Sequence, residues 1–182
     1  MRVVAGSVGG RRLRGPESET VRPTTDKVRE AVFNSLESMN AVEGAEVLDL
    51  FAGTGACGIE ALSRGAASAT FVDRDHKALN VVKANLVDTR LTGRVVRSDA
   101  LAFLAKPHSF DLAFLDPPYE FEKWNELLSK LSCPLAVCES DRPLQAAEGW
   151  GVLRAKRYGD TTVTLMERSQ DHEDAVVGGG SE

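Results

Sequence analysis

Long apolar runs, cysteines and histidines are all scarce in this chain of 182 residues. No stretch of eighteen or more apolar residues occurs, and the beginning of the chain has no apolar segment typical of a secretory signal. Cys57, Cys133 and Cys138 lie far apart or in a C-x4-C spacing, which is typical of small buried side chains in a reducing compartment, and no histidine has a nearby ligand partner. We therefore expect a cytoplasmic protein without a membrane partner or a bound metal.

Acidic residues predominate in the chain except near its beginning. The formal net charge is −5, yet residues 1–30 carry a local charge of +3, and the first fifteen residues contain four arginines and no acid. A basic segment on an otherwise acidic protein predicts contact with a polyanion such as nucleic acid. The arginines expected to make this contact are Arg2, Arg11, Arg12, Arg14, Arg22 and Arg29.

From residue 46 onward, short apolar segments alternate with helical patterns. Five strands are predicted within residues 46–140, with helices between them, and "GVLRAKRYGDTTVTLMER" is typical of two strands joined by a turn at Gly159 and Asp160. The alternation predicts an α/β, Rossmann-like fold, in which a mostly parallel, doubly wound sheet is closed by a C-terminal antiparallel hairpin. A short hairpin turning at Gly9 and Gly10 and an amphipathic helix in "KVREAVFNSLESM" are predicted to precede it.

The length of the chain suits one α/β domain with small appendages. We interpret residues 1–24 as a basic N-terminal hairpin or arm and residues 25–168 as the main domain. Residues 169–182 form an acidic, glycine-rich tail that we predict to be disordered.

A glycine-rich loop, "DLFAGTGACG", follows the first predicted strand of the sheet and opens a helix. Gly53, Gly55 and Gly58 form a G-x-G-x-x-G pattern, and Asp73 lies twenty residues beyond Gly53, where a carboxylate can bind ribose hydroxyls. Asp49, just before the loop, would repel a pyrophosphate but attract a cationic ligand. The pattern favours S-adenosylmethionine, which has a ribose, a sulfonium and an ammonium but no phosphate, over a dinucleotide. A turn without a ligand would explain the glycines but not both aspartates.

Four successive predicted strands end in carboxylates, at Asp49, Asp73, Asp99 and Asp116. Because the carboxyl ends of parallel strands share one edge of a sheet, we expect these side chains to converge on one crevice. Asp99 could accept a hydrogen bond from an adenine amino group, with the amide of Ala100 facing a ring nitrogen. An equally good interpretation is that Asp99 caps the following helix, and the two roles are compatible.

The fourth strand ends in "LDPPY", where a turn alone would need only one proline. An exocyclic amine on a nucleobase is a weak nucleophile because its lone pair is delocalised into the ring. The carboxylate of Asp116 and the carbonyl of Pro117 can accept its two hydrogens, and the adjacent Pro118 helps to fix the backbone that aims this carbonyl. Tyr119 offers a flat face for a base taken out of its stack. We therefore predict Asp116, Pro117, Pro118 and Tyr119 as the catalytic segment.

Taken in order, "DLFAGTGACGIEALSRGA", "VDRD", "SDA" and "LDPPY" resemble a class I S-adenosylmethionine-dependent methyltransferase acting on an amino nitrogen. The lead-in "MRVVAGSVGGRRLRGP" with "VRPTTDKVREAVFNSL" is similar to the RsmD family of 16S ribosomal RNA guanine-N2 methyltransferases, and the resemblance covers residues 1–168. It implies a class I methyltransferase fold and methylation of one guanine in a small-subunit RNA hairpin loop, on an assembled or nearly assembled 30S subunit. Tyr119 is a small departure, since Phe is also familiar there, and either ring can stack.

The S-adenosylmethionine site is expected to use residues of the glycine loop, the strand ends and the first helix. They are Thr25, Asp49, Phe51, Gly53, Thr54, Gly55, Gly58, Asp73, Arg74, Asp99 and Ala100. Thr25, with Asp26 and Arg29, either folds over the crevice as a lid or caps the first helix. We expect the protein to be a monomer.

Other functions stay open from the sequence. A DNA adenine-N6 methyltransferase would share the loop and "DPPY", but it normally needs an added recognition segment for which the chain has no room. A protein-glutamine methyltransferase usually carries Asn in place of Asp116. From other classes, a phosphate-binding oxidoreductase or a catalytically silent RNA-binding module is compatible with the glycine loop.

Overall fold

The computed structural model describes residues 1–15 and 25–169, which fold around one seven-stranded sheet. The strands are β1 (Glu46–Leu50), β2 (Ser68–Asp73), β3 (Arg94–Arg97), β4 (Leu112–Leu115), β5 (Leu135–Ser140), β6 (Trp150–Tyr158) and β7 (Thr161–Arg168). Their order in the sheet is β3-β2-β1-β4-β5-β7-β6. Strands β1 to β5 are parallel, and β7 runs antiparallel to both β5 and β6. The predicted α/β fold, with its mostly parallel sheet and C-terminal hairpin, is confirmed.

Helices cover both faces of the sheet. They are α1 (Asp26–Ser38), α2 (Ala56–Ser63), α3 (His76–Thr89), α4 (Ala100–Leu104) and α5 (Trp124–Lys130). Successive strand side chains point to opposite faces, so the buried runs of the central strands supply two apolar clusters. In β1, Val47 joins the cluster under α1, α2 and α3, whereas Leu48 joins the cluster under α4 and α5. We refer to these as the first and second clusters.

The N-terminal arm, residues 1–15, folds back on itself and packs against the domain. The N–H of Val3 donates to the carbonyl of Arg11 at 2.9 Å, and the N–H of Leu13 donates to the carbonyl of Met1 at 3.1 Å. Val3 and Leu13 are both buried in the first cluster. The arm is therefore hairpin-like, as predicted, but its apolar side chains belong to the core of the domain.

Glu60 of α2 anchors the arm from inside the domain. Its carboxylate is fully buried and accepts the backbone N–H groups of Val4 at 2.7 Å and Ala5 at 3.0 Å. It also pairs with Arg64 at 2.8 Å and with Arg29 of α1 at 3.5 Å. A buried carboxylate needs such partners, because leaving it unpaired would cost several kcal/mol.

Some sequence predictions fall outside the described residues. Arg22 lies in the segment 16–24, and the predicted boundary after residue 24 lies at the end of that segment. All of the predicted tail except Ser169 lies beyond residue 169. In the part of the chain that the structure describes, no helix has both the length and the apolar character needed to cross a membrane.

Candidate active site

A crevice of about 1280 Å³ opens at the carboxyl ends of the central strands. This volume exceeds the roughly 300–1,000 Å³ typical of a pocket for one small ligand, so it offers room for a cofactor and part of a second molecule. The predicted residues that line it are Asp49, Phe51, Gly53, Thr54, Asp73, Arg74, Asp99, Ala100, Asp116, Pro117, Pro118 and Tyr119. Thr25, Gly55 and Gly58, which were also predicted to contact the cofactor, are not among its lining residues.

The glycine loop is held in shape by Asp73 at the end of β2. The N–H of Gly53 donates to one oxygen of the Asp73 carboxylate at 3.0 Å, and the N–H of Asp75 donates to the other at 2.8 Å. Gly53 and Gly55 have φ angles of 55° and 77°, in the left-handed region that glycine adopts without strain. A carboxylate has about four lone-pair sites, so Asp73 can organise the loop and still accept a further hydrogen bond from a ligand.

Asp49 lies beneath the loop and is almost fully buried, with 5% of its surface exposed. Burial raises the pKa of its carboxyl to about 7; the N–H of Gly58, which donates to it at 2.9 Å, opposes the rise, and the charges of Asp73 and Glu139 add to it. Gly58 packs so closely on Phe71 that a Cβ atom at this position would lie 2.3 Å from the ring. Gly58 therefore donates a hydrogen bond to Asp49 and allows α2 to pack closely on Phe71.

Three of the predicted strand-end carboxylates lie on one face of the sheet. Asp49, Asp73 and Asp116 each follow by two positions a residue of the first cluster, and residues two apart in a strand share a face. Asp99 differs, because one of its oxygens accepts the N–H groups of Leu101 at 3.0 Å and of Ala102 at 3.2 Å at the start of α4. Asp99 thus caps a helix as well as lining the crevice.

The segment 116–119 forms the part of the crevice after β4. Pro117 is buried, while Asp116 and Tyr119 are exposed to the crevice, with 54% of Tyr119 accessible. The hydroxyl of Tyr119 lies 3.3 Å from the hydroxyl oxygen of Thr161 at the start of β7. The Asp116 carboxyl is nevertheless enclosed by the walls of the crevice, and this enclosure, followed by the charges of Glu139 and Asp49, raises its pKa well above that of an ordinary carboxyl.

The comparison with known proteins identifies the family. A family model described as "Conserved hypothetical protein 95" matches residues 1–167. Ribosomal RNA small subunit methyltransferase D of Haemophilus influenzae is 37% identical over 183 residues, which cover 92% of this chain and 93% of that protein. This chain belongs to the RsmD-type methyltransferase family.

Two further similarities extend over the same region. The protein YlbH of Bacillus subtilis is 41% identical over 184 residues, which cover 92% of this chain and 99% of YlbH. The solved structure of yhhF from Escherichia coli has a TM-score of 0.82 and 34% identity, covering 92% of this chain and 97% of that one. The fold is that of a class I methyltransferase, as the sequence resemblance implied.

This RsmD-type methyltransferase has a further crevice carboxylate, Glu139, that the sequence analysis missed. Glu139 is buried with 7% of its surface exposed, lines the crevice and follows Val137 of the first cluster by two positions. It lies beside Asp116, since both come one residue after the paired Leu115 and Cys138 of β4 and β5. The sequence contains a feature that could have predicted Glu139, because it is an acid near the end of the fifth strand, just as the four aspartates lie at the ends of the first four.

The structure corrects part of the predicted nucleic-acid set of this RsmD-type methyltransferase. Arg29 is 1% exposed, and its guanidinium pairs with Asp26 at 2.9 Å and donates to the carbonyl of Arg2. Because the guanidinium of Arg29 is buried in this network, it cannot contact RNA. The other described arm arginines, Arg2, Arg11, Arg12 and Arg14, are exposed.

Two of these exposed arginines are engaged with α3. Arg14 forms an ion pair with Asp88 at 2.8 Å, which raises the pKa of the guanidinium and lowers the pKa of the Asp88 carboxyl. Arg11 donates to the carbonyl of Asp88 at 2.9 Å. Both must leave or share these partners before they bind phosphate, so Arg2 and Arg12 are the more available cations.

The residues before and at the start of α1 were expected either to fold over the crevice as a lid or to cap the helix, and the structure shows the cap. The hydroxyl of Thr25 accepts the N–H of Val28 at 3.3 Å, and Asp26 accepts the N–H of Arg2 at 3.3 Å as well as binding Arg29. These contacts join the helix to the N-terminal arm. Thr25 thus caps α1, whereas Asp26 and Arg29 hold the N-terminal arm against it. None of the three residues lines the crevice.

Proposed function

We propose that this protein transfers the methyl group of S-adenosylmethionine to the exocyclic N2 amine of a guanine in small-subunit ribosomal RNA, within an assembled or nearly assembled 30S subunit. One observation carries the proposal. Hydrogen-bond acceptors and an exposed aromatic ring, all from residues 116–119, meet in a crevice lined by carboxylates. This combination suits a planar base that presents an amine.

The residues of the crevice fit S-adenosylmethionine better than a dinucleotide. Asp73 can accept hydrogen bonds from ribose hydroxyls, and the buried Asp49 and Glu139 make the adjacent region negative. A negative region attracts the sulfonium and ammonium of the cofactor and repels a pyrophosphate. When bound, the cofactor supplies an electrophilic methyl group.

Residues 116–119 would prepare the target amine for attack. The Asp116 carboxylate and the Pro117 carbonyl accept its two hydrogens, which lets the nitrogen become pyramidal and direct its lone pair outward. The nitrogen must lose one proton as its new N–C bond forms, and the raised pKa of Asp116 makes its carboxylate a better acceptor than an ordinary one. The ring of Tyr119, steadied by Thr161, stacks on the base. Positioning supplies most of the rate.

The choice of RNA rests on relatives and on the sequence motifs. The Haemophilus influenzae relative is named for the small ribosomal subunit, which supports that substrate here. The guanine N2 position and the 30S context rest on the resemblance of the "LDPPY" and N-terminal motifs to the RsmD family.

Mass mapping of modified nucleosides tests the proposal. Purified protein is incubated with labelled S-adenosylmethionine and either 30S subunits or naked 16S RNA that lack the modification, and the RNA is then digested and analysed. N2-methylguanine at one position is the expected product. N6-methyladenine, methylated DNA, or no transfer to either RNA would overturn the proposal.

Asp116→Ala provides the matched control for this assay. The variant should bind S-adenosylhomocysteine in calorimetry about as well as the unmodified protein, because the partner of Asp116 is the amine and not the cofactor. Methyl transfer should be lost. Equal transfer by the variant would remove Asp116 from the chemistry.

A further inference from the structure

The edge strand β6 carries an exposed basic surface. Arg154, Lys156 and Arg157 are all exposed, and the nine residues of β6 contain no acid, although the whole chain has a net charge of −5. We call these three residues the basic strand. Among the residues that the structure describes, none of the three forms an ion pair with an acid. Arg157 donates to the carbonyl of Gly159 at 2.8 Å, and Lys156 lies 5.1 Å from the centre of the Tyr158 ring. Neither contact neutralises a charge, so the three cations can still attract an external anion.

Two residues of the basic strand, Arg154 and Lys156, face the same way as the crevice carboxylates, whereas Arg157 points to the other face of the sheet. A bulge between Val152 and Arg154 shifts the pairing with β7, so that Arg154 lies opposite Leu165 and Lys156 opposite Val163. Leu165 and Val163 belong to the first cluster, on the face where Asp49, Asp116 and Glu139 project. Arg154 and Lys156 therefore extend this face beyond the edge of α1.

The basic strand also leads to the entrance of the crevice. β6 is antiparallel to β7, which is antiparallel to β5, so β6 runs toward the edge of the sheet where the crevice opens. After Tyr158 and a two-residue turn, the chain reaches Thr161, which lines the crevice and contacts the hydroxyl of Tyr119 at 3.3 Å. The cations are thus joined by a short stretch of chain to the ring proposed to hold the target base.

The N-terminal arm alone is a weaker anion site than its composition indicates. Arg29 is buried, and Arg11 and Arg14 already bind Asp88. The arm packs against α2 and α3, over β1 to β3, whereas β6 forms the opposite edge of the sheet, with β4 and its catalytic segment between them. An RNA that enters the crevice at β4 therefore passes a second basic surface on its other side.

We infer that the basic strand binds phosphates of the RNA that flank the target nucleotide, on the side of Tyr119 away from the N-terminal arm. The inference rests on the proposed RNA substrate. Arginine and lysine bind phosphate through charge-assisted hydrogen bonds, and the planar fork of arginine can make two in parallel. Cations on an edge strand also discourage unwanted strand pairing. That role requires no RNA, so the salt dependence of RNA binding distinguishes the two.

The test compares two triple variants of the full chain that remove equal charge. The first replaces Arg154, Lys156 and Arg157 with Ala. The control replaces Arg94, Lys106 and Lys130 with Ala; these exposed cations lie at the amino edge of the sheet, away from the crevice. Binding to 30S subunits and to naked 16S RNA is measured over a series of salt concentrations, and melting temperature and S-adenosylhomocysteine affinity report on folding.

The basic-strand variant should lose about 2 units of the slope of log affinity against log salt, since each phosphate contact contributes about 0.7 to 0.9. The control variant should keep the slope of the unmodified protein. A charge-keeping variant, Arg154→Lys with Arg157→Lys, should keep most of it. If the basic-strand variant and the control bind alike, or if the basic-strand variant also loses cofactor affinity, the inference is wrong.

Failure of the proposed function would look different. In that case the unmodified protein itself would neither methylate nor bind small-subunit RNA, and the basic strand would lose its partner as well. Normal RNA binding and methylation by the unmodified protein, together with an unaffected basic-strand variant, would overturn the inference alone.

Discussion

At Asp49, the ionised carboxylate that would attract a cationic ligand lowers the stability of the protein without ligand. Its carboxyl is buried at the base of the crevice, and its pKa of about 7 lies well above the ordinary value of 3.8. A raised pKa means that the folded protein binds the proton more tightly than the unfolded chain. The stability of the protein without ligand therefore falls as pH rises from about 4 to about 7 and stays reduced above that range.

Replacing Asp49 with Asn should relieve this cost. The amide oxygen can still accept the N–H of Gly58, but the side chain no longer ionises. At pH 8 we expect the free energy of unfolding to increase by up to about 4 kcal/mol, and below pH 4 we expect no gain. Denaturant unfolding at both pH values measures the effect. The same variant should bind S-adenosylmethionine more weakly; equal destabilisation at both pH values would contradict the assignment of the buried charge.

Glu139 should influence the pH dependence of methyl transfer. Asp116 must be ionised to accept hydrogens of the amine, so activity should rise with pH through its raised pKa. Glu139→Gln removes a neighbouring negative charge, which favours ionised Asp116 and lowers its pKa. The rising limb of kcat against pH should therefore move to lower pH, although Asp49 still opposes ionisation.

A matched control for Glu139 comes from the rim of the crevice. Glu122 lines the crevice but is exposed, and it does not contribute to the pKa of Asp116. Glu122→Gln should not shift the rising limb of kcat against pH from its position in the unmodified protein. An identical pH profile for Glu139→Gln would show that Glu139 has no electrostatic effect on the reacting amine.

Among the elements, the strands and helices of the sheet were predictable because their patterns are local. Buried runs such as those of β1 and β4, separated by glycine turns and helical spacings, specify a parallel sheet whatever lies elsewhere in the chain. The turn at Gly159 and Asp160 occurs where the sequence predicted it. The row of carboxylates followed from this sheet, since strand ends share an edge.

The contacts of the arm were not predictable from local pattern. In the sequence, Arg29 is a cation on an amphipathic helix, and such a residue is normally exposed. Its burial depends on Glu60, which lies in another helix 31 residues away, and on the backbone of Arg2. Glu60 itself occupies an ordinary helical position in the sequence. No local signal reveals a pairing between residues that only the tertiary fold brings together.

The packing of the N-terminal arm against the domain should depend on the charge of Glu60. Glu60→Gln removes the charge that Arg29 and Arg64 share and weakens the acceptor for Val4 and Ala5. Breaking a buried ion pair costs about 3–5 kcal/mol, so we expect a loss of this size in the free energy of unfolding. The amides of Val4 and Ala5 should also exchange hydrogen faster.

Glu37 supplies the control for the arm. It pairs with Arg64 at 3.0 Å but is half exposed, and exposed pairs contribute about 0–1 kcal/mol. Glu37→Gln should therefore leave both the stability and the exchange of the arm amides nearly unchanged. If Glu60→Gln behaved like Glu37→Gln, the arm would be held by its apolar side chains, Val3 and Leu13, and not by the buried charges.

For the whole molecule, the proposed function requires an acidic protein to approach a polyanion. The net charge is −5, and the crevice in which we propose that the base binds is itself lined by carboxylates. Phosphates are repelled from that crevice, so they must be held outside it. Under the proposed function, cations on the arm at one side and on β6 at the other would provide such contacts while leaving the centre negative for the cofactor.

Two separated basic surfaces should contribute additively to RNA binding. We expect Arg2→Ala with Arg12→Ala to reduce the slope of log affinity against log salt by about 1 to 2 units, because each of these arginines can contact one phosphate. Combined with the basic-strand replacements, the loss should approach the sum of the two, since distant sites with no shared partners add. Titrations of 30S subunits at several salt concentrations measure the slopes. A combined variant no weaker than the arm variant would mean that RNA meets the molecule on the arm side only, and a less-than-additive loss would mean that both surfaces bind the same phosphates.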